Sequence, residues 1–253
     1  MQKPFENKVV LITGGASGIG RSTGLAFARD GAKVVIADVQ VEAGEETVQL
    51  IKELGGKAIF VKVDVSQPDE VRALIEKTVD TYGRLDCAVN NAGIEPPWSR
   101  TAEYTEENWE RVMSINLKGV WLCMKYEIPQ MLKQNSGAIV NTASVTGLIG
   151  YIGNCAYAAS KHGVIGLTKT AALEYAKAGI RINAVCPGVT RTPMVERTLA
   201  IRPKMEAVLT AAEPMRRMSD PQEIAEAILW LCSDGASFVT GHPLAVDGGL
   251  LAQ

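Results

Sequence analysis

Short apolar runs and longer amphipathic segments alternate along this chain of 253 residues. The short runs are rich in β-branched residues and almost continuously apolar, which is typical of strands buried on both faces of a parallel sheet. They predict strands at residues 8–13, 33–38, 57–63, 85–90, 138–143, 180–186 and 243–246. The longer segments predict helices at residues 21–29, 42–54, 68–82, 105–134, 155–177 and 221–232. Strands and helices that alternate through short connections predict one α/β domain over residues 1–253, with a doubly wound parallel sheet and helices on both faces.

A glycine-rich loop follows the first predicted strand and leads into the first helix. Gly14, Gly18 and Gly20 allow a sharp turn there, and the start of the helix offers free N–H groups and a positive dipole end. The second strand closes on Asp38, eighteen residues beyond Gly20, about where a Rossmann-type fold places the acid that binds ribose. The glycine spacing differs from Gly-x-Gly-x-x-Gly, but the order of strand, loop, helix, strand and acid predicts a dinucleotide site.

Asp38 also bears on which dinucleotide is bound. Its carboxylate can accept a hydrogen bond from a ribose 2′-hydroxyl and repels a 2′-phosphate, so the sequence favours NAD over NADP. Arg21 is a nearby cation that could accept such a phosphate. We interpret Arg21 as a solvated helix residue and expect NAD as the cofactor.

Tyr157 and Lys161 lie four residues apart in the fifth predicted helix, and Ser144 follows the strand before it. This spacing places the tyrosine and the lysine on one helix face. A tyrosine with a pKa of about 10 moves protons near neutral pH only if positive charge stabilises its phenolate. A lysine about 4 Å away contributes about 1 kcal/mol in water and about 4 kcal/mol at an effective dielectric of about 20. The pair therefore needs partial burial or a second positive charge, such as an oxidised nicotinamide ring, and without further motifs the spacing is typical of a surface pair.

Composition excludes several other classes of protein. The formal net charge is −2, no basic cluster predicts nucleic-acid binding, and no apolar run is long enough to span a membrane. The amino terminus lacks the pattern of a signal peptide. Five scattered cysteines without a Cys-x-x-Cys pair predict free thiols and a cytoplasmic location. Two histidines without clustered ligands predict no metal site.

Further motifs follow the other strand ends and complete a specific set. The set comprises residues 13–20, Asp64, Asn90, Asn91, Ala92, Gly93, Asn116, Ser144, Tyr157, Lys161, Pro187 and Gly188. With these motifs the chain resembles the short-chain dehydrogenase/reductase family over essentially its whole length. The resemblance implies a single-domain Rossmann-type fold with a seven-stranded parallel sheet. It also implies an oxidoreductase that interconverts a secondary alcohol and its ketone with a nicotinamide cofactor.

The resemblance assigns catalytic roles to four of these residues. Tyr157 would be the general acid/base, and Ser144 would hydrogen-bond the substrate oxygen. Lys161 would lower the pKa of the tyrosine and bind the nicotinamide ribose. Asn116 would hold a water that joins the lysine to bulk solvent as a proton relay.

The same resemblance implies which residues bind the cofactor. They are Gly14, Ser17, Gly18, Ile19, Gly20, Asp38, Asp64, Val65, Asn90, Ala92, Gly93, Tyr157, Lys161, Pro187, Gly188, Val189 and Thr192. Asp64 and Val65 would meet the adenine, and Asn90 would lie by its ribose. Val189 and Thr192 would meet the nicotinamide amide and the phosphate.

Substrate contacts are expected from the loops at this edge, beneath a lid at about residues 190–212. The candidates are Glu95, Trp98, Ser144, Thr146, Tyr151 and Met194, with further walls from Ile94, Val145, Ile149, Cys155 and Val189. Their character favours a small or medium apolar ring or chain, such as a cyclic alcohol, a diol or a hydroxysteroid-like compound. Glu95 either bonds a second hydroxyl group or faces solvent. Trp98 either packs, for instance at a subunit contact, or stacks on the substrate.

Two other functions stay open at this point. The chain also resembles 3-oxoacyl-carrier-protein reductases, which usually prefer NADP and tend to carry arginines near the positions of Ala138 and Ala178 for docking an acidic carrier. A non-catalytic nucleotide-binding regulator on the same fold would be expected to lack Tyr157 or Lys161. For assembly the resemblance implies a homotetramer, and the apolar carboxyl-terminal stretch 238–251 suits a buried contact.

Overall fold

Seven short parallel strands form the centre of the protein in the computed structural model, which describes residues 3–95 and 97–252. The strands are β1 (Val9–Thr13), β2 (Lys33–Asp38), β3 (Lys57–Lys62), β4 (Cys87–Asn90), β5 (Gly137–Thr142), β6 (Ile180–Pro187) and β7 (Pro243–Val246). Their order in the sheet is β3-β2-β1-β4-β5-β6-β7. This order confirms the predicted doubly wound, seven-stranded Rossmann-type sheet.

Helices cover both faces of this sheet. They are α1 (Gly18–Arg29), α2 (Val41–Glu53), α3 (Pro68–Tyr82), α4 (Glu106–Met113), α5 (Gly119–Gln134), α6 (Cys155–Tyr175), α7 (Pro193–Ile201), α8 (Met205–Ala212) and α9 (Pro221–Cys232). Successive strand residues point to opposite faces, so each strand feeds two apolar clusters. Leu11 and Val35 pack with residues of α3, α5 and α6, whereas Ile12 and Ile36 pack with residues of α1, α2 and α9.

The direction of sheet growth reverses between β1 and β4, which are neighbours although β2 and β3 separate them in sequence. Thr13 and Asn90 are register partners at the carboxyl ends of these two strands. In open α/β sheets, ligands bind in the crevice beside such a reversal. The glycine loop leaves β1 at this crevice, and residues 91–95 leave β4 there.

The predicted helix at residues 105–134 is interrupted in the structure. α4 and α5 are separated by a π-helical turn at Ser114–Lys118, where the Gly119 N–H bonds the carbonyl of Ser114, five residues back. Single π-helical turns occur mostly at functional sites. This turn carries Asn116, which is fully buried.

The predicted lid at residues 190–212 contains two helices, α7 and α8, which its polar composition did not predict. The signal for α7 is local. Thr192 caps the helix by accepting a hydrogen bond from the Val195 N–H at 3.4 Å, and Pro193 occupies the first turn. The polar stretch is therefore an ordered helical segment that returns to the sheet at Glu213.

Three general features of the described residues bear on function. Across residues 3–95 and 97–252, no helix is both long enough and apolar enough to cross a membrane. Among the same residues, no three His, Cys, Asp or Glu side chains lie together as a metal-binding group. The cysteines at 87, 123, 155, 186 and 232 are free thiols, and all but Cys155 are buried.

Candidate active site

The glycine loop is built from positions that exclude side chains. Gly14 and Gly18 adopt left-handed conformations, with φ of 66° and 53°. A Cβ on Gly20 would collide with the carbonyl oxygen of Gly14, because α1 begins against the end of β1. The close packing leaves the amino terminus of α1 open toward the crevice, with Ser17 as its extended N-cap. This is the arrangement in which a loop and a helix end can accept phosphate oxygens.

Asp38 ends β2 beside this loop and is nearly buried. Its carboxylate accepts hydrogen bonds from the Ala16 N–H at 3.1 Å and from the Gln40 N–H at 3.0 Å. Each carboxylate oxygen thus has one main-chain donor, which fixes its orientation and leaves lone pairs for a ligand hydroxyl. The structure brings Asp38 to the glycine loop as the sequence predicted.

The interpretation of Arg21 as a solvated helix residue was wrong. Its guanidinium donates to the carbonyl oxygens of Ala16 at 3.0 Å and Ala43 at 3.1 Å, and it forms an ion pair with Glu46 at 2.6 Å. Arg21 therefore joins the glycine loop to α2 through its Nε and Nη2 atoms. The sequence could not show these partners because two of them are main-chain carbonyls.

Asn91 is a site residue that the sequence argument placed in a motif without giving it a role. Its amide nitrogen donates to the carbonyl oxygens of Thr13 at 3.1 Å and Gly14 at 3.2 Å. The Thr13 hydroxyl in turn accepts from the main-chain N–H groups of Asn91 and Ala92, at 3.1 and 3.2 Å. These bonds hold the loop after β4 against the glycine loop.

Asn90 lies at the end of β4, at the crevice, and its side chain is turned into the protein. This buried side chain donates to Glu127 at 3.1 Å and to Asn141 at 3.0 Å. Asn141 continues the network to the Thr168 hydroxyl on α6 at 2.9 Å. The Asn90 side chain therefore ties β4 to β5 and α5, and the expected position of Asn90 beside the ribose stays a prediction.

Asn116 fixes the chain that leads from Gly93 to the substrate side. Its side-chain amide accepts from the Ile94 N–H and donates to the Ile94 carbonyl, both at 2.8 Å. A Cβ on Gly93 would lie 3.3 Å from the Asn116 oxygen and 3.8 Å from the Lys161 Nζ atom. Asn116 thus fixes Ile94, while the preceding Gly93 lies near the lysine, and the expected water relay stays a prediction.

Lys161 and Tyr157 lie on one face of α6, as their spacing predicted. The Lys161 ammonium is buried, donates to the carbonyl oxygen of Thr142 at 2.7 Å, and lies 5.5 Å from the centre of the Tyr157 ring. The Ser144 side chain hydrogen-bonds Tyr157 and also accepts from the Thr146 N–H at 3.2 Å. The three predicted catalytic side chains therefore converge at the end of β5.

Burial controls the ionisation of this group. It raises the pKa of Tyr157 well above 10, with a further contribution from the negative charge of Glu95, while the Ser144 hydrogen bond acts in the opposite direction. Burial also lowers the pKa of Lys161 to about 8. The expected tyrosine pKa below 10 is therefore not a property of these side chains alone, because desolvation outweighs the neighbouring ammonium. A second positive charge beside the pair would be required to lower it.

Glu95 and Trp98 form one wall of the site mouth. Glu95 is exposed, but desolvation raises the pKa of its carboxyl while Arg197 of α7 lowers it. The Trp98 indole donates to the Ile152 carbonyl at 2.7 Å and lies on Gly153, where any Cβ would enter the ring. Of the two roles left open for Trp98, the structure shows packing against the segment before α6.

The other expected substrate residues surround the same opening. Thr146 is buried, and its hydroxyl has no hydrogen-bond partner among the described residues. Tyr151 is partly exposed at this opening. Desolvation of its ring raises the pKa of its hydroxyl group, and the negative charge of Glu95 raises it further. Met194 lies partly buried at the start of α7.

Asp64 and Val65 follow β3 near the adenine side of the crevice. The Asp64 carboxylate accepts from the N–H and hydroxyl of Ser66 at 2.9 and 2.7 Å, which closes a local turn. Val65 is buried and packs against Gly119, where a Cβ would lie 2.8 Å from a valine methyl. Through these bonds to Ser66, Asp64 fixes the turn at residues 64–66 on this side of the crevice.

The turn after β6 forms the opposite side of the crevice. Both main-chain polar groups of Val189 are used within the protein, since its N–H donates to Glu213 at 2.8 Å and its carbonyl accepts from the Ser219 N–H at 2.9 Å. A Cβ added to Gly18 would lie 3.3 Å from the methyl carbon of Thr192. Thr192 therefore lies against the glycine loop, and the main chain of Val189 is bonded within the protein; their expected contacts with the cofactor stay predictions.

These observations fit a nicotinamide dinucleotide. The glycine loop has left-handed conformations at Gly14 and Gly18 and leads into the amino terminus of α1, which suits phosphate oxygens, and the oriented Asp38 carboxylate can accept a ribose hydroxyl. Lys161 lies beyond them toward the Tyr157 end of the crevice. Within the described residues, Asn91, Thr142 and Glu213 are the contributors that sequence motifs did not assign, because each acts through main-chain partners.

Comparison with known proteins agrees with this site. A family model described as enoyl-(acyl carrier protein) reductase matches residues 14–251. The chain is 46% identical to a cyclohexanol dehydrogenase of Acinetobacter sp. (strain SE19), with 100% of this chain and 98% of that protein covered. The chain belongs to the short-chain dehydrogenase/reductase family.

Other short-chain dehydrogenase/reductases are similar over the same length. A 2,5-dichloro-2,5-cyclohexadiene-1,4-diol dehydrogenase of Sphingobium indicum is 45% identical, with 98% of each chain covered. A 3-oxoacyl-[acyl-carrier-protein] reductase of Thermotoga maritima is 44% identical, with 98% of this chain and 99% of that protein covered. The crystal structure of a levodione reductase matches with a TM-score of 0.96 and 40% identity, over 98% of this chain and 99% of that chain. The protein is therefore an oxidoreductase of this family.

Proposed function

We propose that this protein interconverts a cyclic secondary alcohol and its ketone with NAD as the cofactor. One observation carries the proposal most directly: Ser144, Tyr157 and Lys161 converge at the end of β5, beside the glycine loop. A proton-transferring hydroxyl and a nucleotide cradle at one crevice are what alcohol oxidation requires.

Each side chain has a defined task in this reaction. Bound NAD would supply the hydride acceptor, which no amino-acid side chain can provide. The Tyr157 oxygen takes the proton that leaves the alcohol hydroxyl, and the Ser144 hydroxyl donates to the oxygen as negative charge develops on it. In the reverse direction, Tyr157 returns the proton to the carbonyl oxygen.

Lys161 supports this chemistry through its charge and its position. Its pKa of about 8 keeps a large fraction protonated near neutral pH. Together with the positive charge of the oxidised ring, it lowers the tyrosine pKa from the raised value that burial imposes. Proton abstraction by Tyr157 is thereby coupled to occupancy of the cofactor site.

The preference for NAD rests on two carboxylates. Asp38 presents negative charge where a 2′-phosphate would lie, and main-chain donors hold it in place. Glu46 and two carbonyl groups bond the Nε and Nη2 atoms of Arg21, which directs this cation toward α2. Both features favour a free 2′-hydroxyl.

The proposed substrate is a ring that carries a second oxygen. Glu95 stands at the site mouth, close enough for its charge to affect Tyr157 and Tyr151. Its carboxylate is suited to accept a hydrogen bond from a hydroxyl across the ring from the reacting carbon. The names of the similar cyclohexanol and cyclohexadiene-diol dehydrogenases and of levodione reductase support a six-membered ring.

The carrier-protein reductase stays the main rival, since the Thermotoga maritima relative bears that name. Ala138 is buried in β5 and is not a surface position for docking, so the lack of an arginine there does not argue against a carrier-protein reductase. The charge of Asp38 is the observation that speaks against an NADP enzyme. The regulator hypothesis requires a defective site, and the described catalytic side chains are in contact.

We also propose a homotetramer. Leu173 on α6 and Phe238 before β7 are large apolar residues with exposed fractions of 84% and 103%. Apolar side chains this exposed are suited to a contact between copies of the chain. Light scattering that gives the mass of a monomer would overturn this part of the proposal.

The test of function measures NADH formation with cyclohexanol, cyclohexane-1,4-diol, open-chain secondary alcohols and a hydroxysteroid, each with NAD and with NADP. A 3-oxoacyl thioester with NADPH tests the rival in the reverse direction. We expect the cyclic diol with NAD to give the highest kcat/KM, and Tyr157→Phe to abolish it. Faster turnover of the thioester with NADPH would reject the proposal in favour of the carrier-protein reductase.

A further inference from the structure

Glu213 is a buried acid at the point where the lid returns to the sheet. It follows α8 directly, and only 2% of its surface is exposed. Its Oε1 atom accepts a hydrogen bond of 2.8 Å from the Val189 N–H, in the turn after β6. One side chain thus connects the end of the lid to the turn from which the lid begins.

Two glycines make room for this carboxylate. A Cβ on Gly188 would lie 2.6 Å from Oε1, and a Cβ on Gly248 would lie 3.1 Å from Oε2. Gly188 belongs to the turn after β6, and Gly248 belongs to the turn after β7. Three chain segments therefore close around a single carboxylate.

The electrostatics of Glu213 are unfavourable for a group that serves packing alone. Burial raises its pKa, the Val189 N–H lowers it, and the negative charge of Asp247 raises it again. The Oε2 atom is buried and has no hydrogen-bond partner among the described residues. A buried, half-satisfied carboxylate beside a second acid costs stability, and an apolar residue of similar size would avoid that cost.

What Glu213 orders is one wall of the cofactor crevice. Val189 is held on both sides, by Glu213 at its N–H and by Ser219 at its carbonyl. Three residues further on, Thr192 contacts the glycine loop at Gly18 and begins α7. The position of the glycine-loop contact therefore depends on a turn that Glu213 fixes.

We propose that Glu213 is a positioning residue for the cofactor site, which fixes the 187–189 turn and thereby holds Thr192 and the start of the lid against the glycine loop. The proposal rests on the dinucleotide site of the proposed function and does not depend on which alcohol is oxidised. The hydrogen bond that Oε1 accepts from the Val189 N–H fixes the turn. The negative charge of Glu213 is therefore dispensable, and the acceptor oxygen is required.

The test compares Glu213→Ala with Glu213→Gln by titrating NADH fluorescence and by steady-state kinetics. We expect Glu213→Ala to raise the NADH Kd and the NAD KM about tenfold, with kcat changed less than about threefold. Glu213→Gln keeps an acceptor for the Val189 N–H and should restore the Kd to within about twofold of the wild type. Glu174→Gln, at an exposed position of α6 outside the lid, is the control and should leave both constants unchanged.

A second variant approaches the same contact from the other side. Gly188→Ala places a methyl group against Oε1, so it should also raise the NADH Kd, and its effect should not add to that of Glu213→Ala. If Glu213→Ala fails to fold, the NADH Kd values of Gly188→Ala and Glu213→Gln decide whether the contact at Oε1 controls cofactor affinity. A lowered melting temperature with an unchanged NADH Kd would overturn the proposal and leave a purely structural role. Absence of NADH binding by the wild type would instead reject the dinucleotide site itself.

Discussion

The Lys161 ammonium donates a 2.7 Å hydrogen bond to the main-chain carbonyl of Thr142, at the last residue of β5. This bond anchors a helix side chain to a strand end and directs the remaining N–H donors into the crevice. Burial lowers the pKa of this lysine to about 8, and the nearby Cys186 thiol opposes that shift.

Replacing Lys161 should damage both binding and chemistry. Lys161→Met keeps much of the side-chain volume but removes the charge and the donors to Thr142 and to a ribose. We expect turnover to fall at least about 10²-fold and the NADH Kd to rise about tenfold. Lys169→Met, at an exposed position of the same helix, is the control. Unchanged NADH binding would contradict the ribose role.

Replacing Tyr157 should affect chemistry alone. Tyr157→Phe removes only the oxygen that carries the proton, so we expect turnover to fall about 10²- to 10⁴-fold with the NADH Kd within about twofold. Tyr175→Phe, at the end of α6, controls for loss of a phenol from the same helix. Substantial residual activity of Tyr157→Phe would show that another group moves the proton.

The charge of Glu95 should set where the pH profile rises. A negative Glu95 raises the Tyr157 pKa, because it opposes formation of the phenolate. Glu95→Gln removes this opposition, so single-turnover alcohol oxidation should reach half of its maximum at a lower pH than in the wild type. Rapid-mixing measurements isolate this step from cofactor release. Glu103→Gln, an exposed acid nearby in sequence, should leave the midpoint in place.

Asp38 should control the choice of dinucleotide. Asp38→Asn removes the charge that repels a 2′-phosphate and keeps an acceptor for one of the two N–H groups of Ala16 and Gln40, which bond different carboxylate oxygens. We expect the ratio of kcat/KM for NAD over NADP to fall about tenfold, equivalent to about 1.4 kcal/mol. Glu42→Gln, an exposed acid in the first turn of α2, serves as the control. A ratio that does not move would assign the discrimination to other residues.

Glu127 should make stability depend on pH. Burial raises its pKa from 4.5 to about 8, so the folded protein holds a proton that the unfolded chain releases above about pH 4.5. Stability is therefore highest below that pH and falls as the pH rises toward 8, by up to about 1.4 kcal/mol per pH unit. Glu127→Gln mimics the protonated acid and should gain stability over the wild type with rising pH.

Urea unfolding at pH 5.5 and pH 8.5, at one protein concentration, measures this difference. Glu174→Gln, an exposed acid on α6, should show no such trend. A wild type and a Glu127→Gln variant that differ equally at both pH values would show that Glu127 is not protonated in the fold.

The sequence was sufficient for the parts of the protein that local patterns determine. The strand ends, the glycine loop and Asp38 follow from hydrophobic periodicity and from the steric freedom of glycine. The Tyr157 and Lys161 pair follows from helix spacing, because residues four apart must share a face.

The features that the sequence did not reveal depend on contacts between distant segments. Arg21 and Asn91 act through main-chain carbonyls of other elements, and those partners leave no trace in residue identity. Glu213 meets Val189 only after two lid helices have formed between them. The raised Tyr157 pKa also depends on burial, which the spacing of two residues does not specify.

The contact between Trp98 and Gly153 allows side chains at the site mouth to change independently of the catalytic side chains. The wall at residues 97–99 is attached through the Ile152 carbonyl and through a 2.9 Å bond from the Ser99 N–H to the Gly153 carbonyl. Because these attachments use main-chain atoms, the exposed side chains of Tyr151 and Ile152 are free to vary without loosening the wall. Gly153 itself must stay a glycine while Trp98 is present. Point substitutions at positions 151 and 152 can therefore change the side chains at the site mouth while Ser144, Tyr157 and Lys161 keep their places.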